Sequence, residues 1–431
     1  MSKPDTPDPA HAVAITGTGV VCSIANNVAE LGTALQRGES GICQYDDPDS
    51  PSVTLAATLR DFSWSDTLEP FLVGWPEMAR RARKVLNNNT PSTRLSACSA
   101  VQAYRQANLG DGSRAIDDTG LIVAGSNVDQ AFIAQNCQRF RDAGHWINPK
   151  YAIAYNDSNQ LGSLSEILAL RGPGCTLGAA SASGNAAIYN AVQWIRSGLI
   201  RRCLVVGACT RFSALELEAF ALLGAASSSG RHTDPTKVCR PFDMDHDGFV
   251  WGEASASLVL ESADSAMERR AARLGGVVGC SLLLDGHHLP DPSVEGELRA
   301  MRRALQAAKV SPQQIGYVNA HGTSSPLGDR TECEALKTLF GHQPATPPIN
   351  STKSLVGHCM SAAGVLEVIS TLIQMNNGFV HPNLNLERPV EPALHFAGAQ
   401  SAALDADYAL SNGFGFGGIN STLVIRKGGK P

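Results

Sequence analysis

No apolar run in the 431 residues reaches the length of a membrane-spanning helix, and no charged-then-apolar leader marks a secreted chain. Basic charge is not in excess either. Lys and Arg number 35 against 40 Asp and Glu, so a net charge of −5 leaves no electrostatic footprint for nucleic acid. The 11 cysteines form no CxxC pair and no even framework, which predicts free thiols in a reducing compartment. Charge is sparse, at 17% of residues against 43% hydrophobic, so disorder is excluded over most of the length and a large core is available. These absences together predict a soluble, cytoplasmic protein with neither membrane nor nucleic acid as partner.

Glycine is abundant, at 41 residues, as expected of an α/β protein with many tight turns. Residues 1–11 are polar and Pro-rich and read as a flexible leader. Strands are expected at Val13–Gly17 (running on to Val21), Leu121–Gly125, Cys175–Leu177, Cys203–Ala208 and Ala256–Glu261. Between them, helices are expected at Asn27–Arg37 (ended by Gly38), Thr93–Ala107 and Leu161–Leu170, and from Ile188 to Ser197. Asp46–Trp75 reads as loop, and the charged, Ala-rich Ser262–Leu274 as an exposed helical connector at the midpoint. The rhythm then repeats. Strands are predicted at Val277–Leu284, Gly316–Ala320, Tyr408–Ser411 and Thr422–Ile425, with helices at Glu295–Lys309, Gly328–Phe340 and Ser361–Asn376. Strand–helix–strand order implies parallel, helix-covered sheets, in two duplicated halves spanning 12–265 and 266–431.

Four stretches carry chemistry. Gly178–Ala187, Gly-Ala-Ala-Ser-Ala-Ser-Gly-Asn-Ala-Ala, joins a strand to a helix through small residues and puts Ser181 beside a helix N-terminus. Alone, Ser181 reads as a helix cap. His321–Asp329 directly follows a buried strand, Asn350–His358 directly precedes a helix and Asn412–Gly418 lies between the last two strands, each read as a strand end, where α/β sheets present catalytic loops. Singly, His321 reads equally as a structural donor, Lys353 as a surface charge and the glycine-rich loop as a tight turn. Zinc is not expected, because His321 and His358 lack helical spacing and no further ligands complete a set of four. The lone Gly17-x-Gly19 lacks the third glycine and the acidic residue of a dinucleotide fingerprint.

In order along the chain, these stretches resemble the β-ketoacyl–acyl-carrier-protein synthases of the thiolase superfamily, as do Arg240–Asp243 and Asp247–Glu253. The resemblance implies a thiolase-like layered αβαβα fold, a homodimer, no cofactor, and a substrate carried on the phosphopantetheine of an acyl carrier protein. It makes His321 and His358 the two active-site histidines, and Lys353 the lysine of the second histidine motif, supported by Glu332. Phe416 becomes the aromatic gate whose N–H joins that of residue 181 in an oxyanion hole, and Thr323 and Ser325 the pair contacting pantetheine. Departures at Ala254-Ser255 and Ser361 bear on pocket shape; a Thr is usual at Ser325.

The large departure is Ser181, where the family pattern calls for Cys. Condensation begins by loading an acyl group on a thiolate, and a Cys of pKa about 8.5 is brought to neutrality by a helix N-terminus and nearby charge. A serine hydroxyl is not; it needs a general base held by a third group. Loss of CO2 from a malonyl thioester needs no nucleophile at 181, only donors aimed at the developing enolate oxygen. Ser with both histidines retained resembles the decarboxylating ketosynthases of polyketide β-branching, which supply acetyl-carrier protein to an HMG-CoA-synthase-like enzyme. The expected activity is decarboxylation of malonyl-carrier protein to acetyl-carrier protein. The rivals are a condensing or acyl-transferring synthase using Ser181 as nucleophile, an engineered Cys→Ser variant of one, and a non-catalytic chain-length-factor-like subunit.

Overall fold

The computed structural model describes residues 12–227, 234–287, 291–341 and 346–429; the expected leader, 1–11, lies outside them. Five strands of the first half are β1 (Val13–Cys22), β2 (Thr119–Ala124), β3 (Gly174–Leu177), β4 (Arg202–Gly207) and β5 (Ala254–Glu261). Those of the second are β6 (Gly275–Leu284), β7 (Ile315–Asn319), β8 (Ile349–Asn350), β9 (Tyr408–Gly415) and β10 (Ile419–Lys427). In space they run β3-β2-β4-β5-β1 and β8-β7-β9-β10-β6, so each half counted from its own first strand reads 3-2-4-5-1. Strand senses repeat as well. In both halves the second strand is parallel to the third and fourth, and the fifth is antiparallel to the fourth and first. The duplication, faint in residue identity, is plain in topology. A short antiparallel pairing of β1 with β6 at Val13–Ile15 joins the halves into one ten-stranded sheet.

Seven helices matter for the site: α1 (Val28–Arg37), α2 (Pro91–Gln106), α3 (Ser158–Leu168), α4 (Ser183–Arg196), α5 (Val294–Ala308), α6 (Pro326–Phe340) and α7 (Ala363–Asn377). Alternation along each strand sorts side chains between layers. Leu121 and Val123 of β2 face a core with α2 and α3, while Ile122 and Ala124 face α4 and α7. In the second half Ile315, Val318 and Leu410 pack on α5 and α6, while Tyr317 and Ala409 join the inner core. The layers are therefore helix, sheet, helix, sheet, helix: the thiolase-like fold. The middle layer is α4 and α7, and α7 is buried from Ala363 to Met375, as a helix between two sheets must be.

Those two helices cross where glycine meets glycine. A Cβ on Gly184 would lie 2.8 Å from the Val365 nitrogen and 3.0 Å from Gly364 Cα. Each helix follows the third strand of its half, so the crossing brings two topologically equivalent turns together. One carries Ser181, the other His358.

The sheets are mixed rather than parallel, because β5 and β10 run antiparallel to both of their neighbours, and two further expectations fail. Asp46–Trp75 is not all loop: it holds a strand at Leu55–Ala57 and a helix at Trp64–Leu72. Ser63 accepts from the Asp66 N–H at the start of that helix, and burial of Leu68 and Leu72 outweighs the loop signal of Pro70. The connector at 262–274 is helical only over Ala263–Glu268, ending where Arg270 turns left-handed (φ 53°). It is also tied inward, because Arg269 pairs at 2.6 Å with the fully buried Glu261. Among the described residues no helix is long and apolar enough to cross a membrane.

Candidate active site

Strand β3 ends at Leu177 and α4 begins at Ser183, so the chain reverses within five residues. Ala180 takes a left-handed conformation (φ 47°), uncommon for a residue with a Cβ and a mark of a turn held by its surroundings. The Ser183 hydroxyl ties that turn: it accepts from the Ala179 N–H at 2.8 Å and donates to the Ala180 carbonyl at 2.6 Å. The capping reading of Ser181 is thereby corrected. Among the described residues no side chain caps α4, which starts after Ala182; Ser183 ties the preceding turn, and Ser181 Oγ points across the helix crossing to His358 Nε2, 2.9 Å away.

His358 is fixed by backbone on both sides. Its N–H donates to the Val250 carbonyl at 2.6 Å, and its own carbonyl accepts from the Gly252 N–H at 3.0 Å. A Cβ on Gly252 would sit 2.2 Å from the Val356 carbonyl, which explains a glycine within Asp247–Glu253. The Met360 N–H donates to His358 Nδ1 at 3.2 Å. Nδ1 is thus the acceptor, and in the neutral ring Nε2 carries the proton. Burial, reinforced by the Lys353 ammonium, holds the His358 pKa well below its ordinary value, so the ring is neutral at pH 7.

His321 follows β7. Its N–H and that of Gly322 both donate to the Glu332 carboxylate, at 2.9 and 2.8 Å, which aims the loop. Burial first, then Lys353 and His358, push its pKa well below normal. The two imidazoles stand edge to face with centroids 5.6 Å apart, flanked by Phe414 and Phe249. Thr323 Oγ1 and Ser325 Oγ are mutually hydrogen-bonded at 2.8 Å. Ser181, His321, Thr323, Ser325, His358 and Phe416 all open onto one cavity of about 570 Å³. Among the described residues neither the Ser181 nor the Phe416 N–H has an acceptor.

Residues 10–266 match the family described as "Beta-ketoacyl synthase, N-terminal domain", and residues 274–387 its C-terminal domain. The chain belongs to the β-ketoacyl synthase family. Among its relatives is the polyketide biosynthesis malonyl-ACP decarboxylase PksF of Bacillus subtilis, 33% identical, with 99% of this chain and 98% of PksF covered. Another is the 3-oxoacyl-[acyl-carrier-protein] synthase 2 of Synechocystis, 32% identical over 96% of this chain and 98% of that protein. A β-ketoacyl synthase structure from Burkholderia phymatum is 31% identical with a TM-score of 0.84, covering 96% of this chain and 99% of that one.

One placement within this ketosynthase differs from expectation. Glu332, taken as the acid beside Lys353, instead holds the His321 loop and accepts from Asn412 at 3.0 Å. The carboxylate on Lys353 is Glu367 of α7, and both side chains are almost fully buried. Lys353 also donates to the His321 carbonyl at 2.6 Å, so it acts on the histidines from behind the cavity wall. A lone acid in the otherwise uncharged Ala363–Asn377 was the signal for Glu367. The apolar lining from Phe212, Phe220, Leu223 and Phe249 was not foreseen. Of the two departures from the family pattern, only Ser361 reaches the cavity, accepting from Thr210 at 3.1 Å; Ser255 is locked in the core against Ser99 and the Gly207 carbonyl.

Proposed function

We propose that this ketosynthase-fold protein decarboxylates malonyl-carrier protein to acetyl-carrier protein. The observation that carries the reading is the His358 tautomer. With Nδ1 accepting from Met360, the ring presents an N–H to Ser181 and to the cavity. That is a donor for a developing enolate oxygen, not a base for a serine. His321, neutral and facing the same space, supplies the second donor in this scheme. CO2 leaves, its bonding pair passes to the thioester as an enolate, and protonation gives the acetyl group.

Resemblance supports the same reading: Ser181 stands where condensing members have Cys, and PksF is named a malonyl-ACP decarboxylase. An acyl carrier protein is then the partner that brings the substrate, and an HMG-CoA-synthase-like enzyme the consumer of the product. A cytoplasmic homodimer is the form proposed. Phe140, Trp146 and Ile153, exposed along one stretch of chain, offer an apolar surface for that dimer.

The 2.9 Å contact also favours a rival, in which His358 deprotonates Ser181 for acyl transfer. That mechanism needs the opposite tautomer, with Nδ1–H directed at the Met360 N–H, so two donors would face each other. A non-catalytic subunit has no use for two neutral histidines on one cavity. Incubation with malonyl-carrier protein alone, followed by intact mass, tests the proposal. Acetyl-carrier protein is the expected product, and persistent malonyl-carrier with folded protein rejects it.

A further inference from the structure

An acid that the scheme above leaves unused lies in the same cavity. Glu297, in the first turn of α5, is 1% exposed, lines the cavity with His321 and Phe416, and has an Oε2 atom with no hydrogen-bond partner among the described residues. Its place is fixed through the helix. Met301, four residues on, contacts Asn412 through its sulfur at 3.6 Å; Asn412 bonds Glu332; and Glu332 holds the His321 N–H. Gly296 leaves room for the neighbouring Asp285, whose carboxylate oxygen would lie 1.7 Å from any Cβ there.

We propose that Glu297 is the proton donor that completes the decarboxylation, an inference that rests on the reading of the preceding section. Condensation consumes its enolate by attack on an acyl group; decarboxylation alone must instead protonate it. In the step proposed, the bond between the malonyl methylene and its carboxylate breaks, CO2 leaves and the electron pair stays as enolate. The Glu297 O–H then gives its proton to the enolate carbon, a C–H bond forms, and the resulting carboxylate regains a proton from solvent.

The surroundings suit that cycle. The acidic groups that act on Glu297 are Glu332 and Asp329 of α6 and Asp285 at the end of β6, and no cation is among them. Burial and these neighbours push its pKa well above the usual carboxylate range, so it waits as the acid at neutral pH. An enolate is far more basic than any carboxylate, so what the step needs is an acid still protonated at working pH.

Glu297→Gln and Glu297→Asp separate this role from a structural one. Gln keeps the size and neutrality of the buried acid but cannot donate a proton; Asp is shorter but can. With malonyl-carrier protein as substrate and folding checked by thermal melting, Gln is expected to lower kcat about a hundredfold with KM nearly unchanged. Asp is expected to retain clearly more activity than Gln. Wild-type activity in the Gln variant, or Gln equal to or better than Asp, overturns the proposal. A wild-type protein that leaves malonyl-carrier unchanged overturns the decarboxylase reading itself, a distinct result.

Discussion

Lys353→Met removes a buried cation from behind the cavity, and the structure sets the size and pH dependence of the effect. Lys353 and Glu367 are 1% and 2% exposed and paired. Burial raises the Glu367 pKa above its ordinary 4.5, and the Lys353 ammonium is what pulls it down. With the ammonium gone, the carboxyl folds in its protonated form. Protonating a group of pKa 4.5 at pH 7 costs 2.5 units, about 3 kcal/mol. The native state then binds a proton the unfolded state lacks, so the penalty is greatest at pH 7 and shrinks as pH falls toward 4.5, to less than about 1 kcal/mol at pH 5. Adding Glu367→Leu removes the stranded acid, so the double variant is expected to regain most of the loss at pH 7. Urea unfolding at the two pH values reads all three quantities. A single variant as stable as wild type at pH 7, or a penalty identical at both pH values, refutes the reasoning.

Other perturbations reach the remaining parts of the account. His321→Ala and His358→Ala each remove one donor and are expected to cost about 3–4 kcal/mol of transition-state stabilisation, at least a hundredfold in kcat; near-normal turnover in either contradicts the donor role. Gly184→Ala forces a Cβ to 2.8 Å from backbone at the helix crossing, so about 1–3 kcal/mol of stability and much of the activity are expected to be lost, read by melting temperature and kcat. His381 has a pKa lowered by burial to about 4, so the unfolded state binds a proton the native state refuses between that value and 6.5. Stability therefore falls on acidification, and going from pH 7 to 5 should cost wild type about 2 kcal/mol more than His381→Gln.

Much of this was legible in the sequence because strands and helices here follow their periodicities. Short continuous apolar runs gave β2 and β4, and the helix from Val28 to Arg37 is bounded by Asn27 and Gly38 as its residues imply. Ser181, His321, His358 and Phe416 were named from four separate loops between positions 181 and 416, and the fold brings them to one cavity. What escaped depended on tertiary contacts. Which carboxylate meets Lys353 is decided by α7 passing behind the cavity, so Glu367 rather than Glu332 is the partner. Which serine ties the turn before α4 is decided by the left-handed residue Ala180, and it is Ser183. Glu297 looks like one more polar residue on an amphipathic helix until the cavity is seen to reach it.

The central claim is that Ser181 is a bystander to the chemistry at its own position. Side-by-side turnover of wild type and Ser181→Ala on malonyl-carrier protein, with intact mass of both enzyme and carrier, tests it most directly. The account predicts acetyl-carrier protein from both, at rates within about threefold, well short of the loss that follows removal of a transition-state donor, with no acyl adduct on the wild-type enzyme. An abolished rate in the alanine variant, or an acyl group found on Ser181, would contradict it.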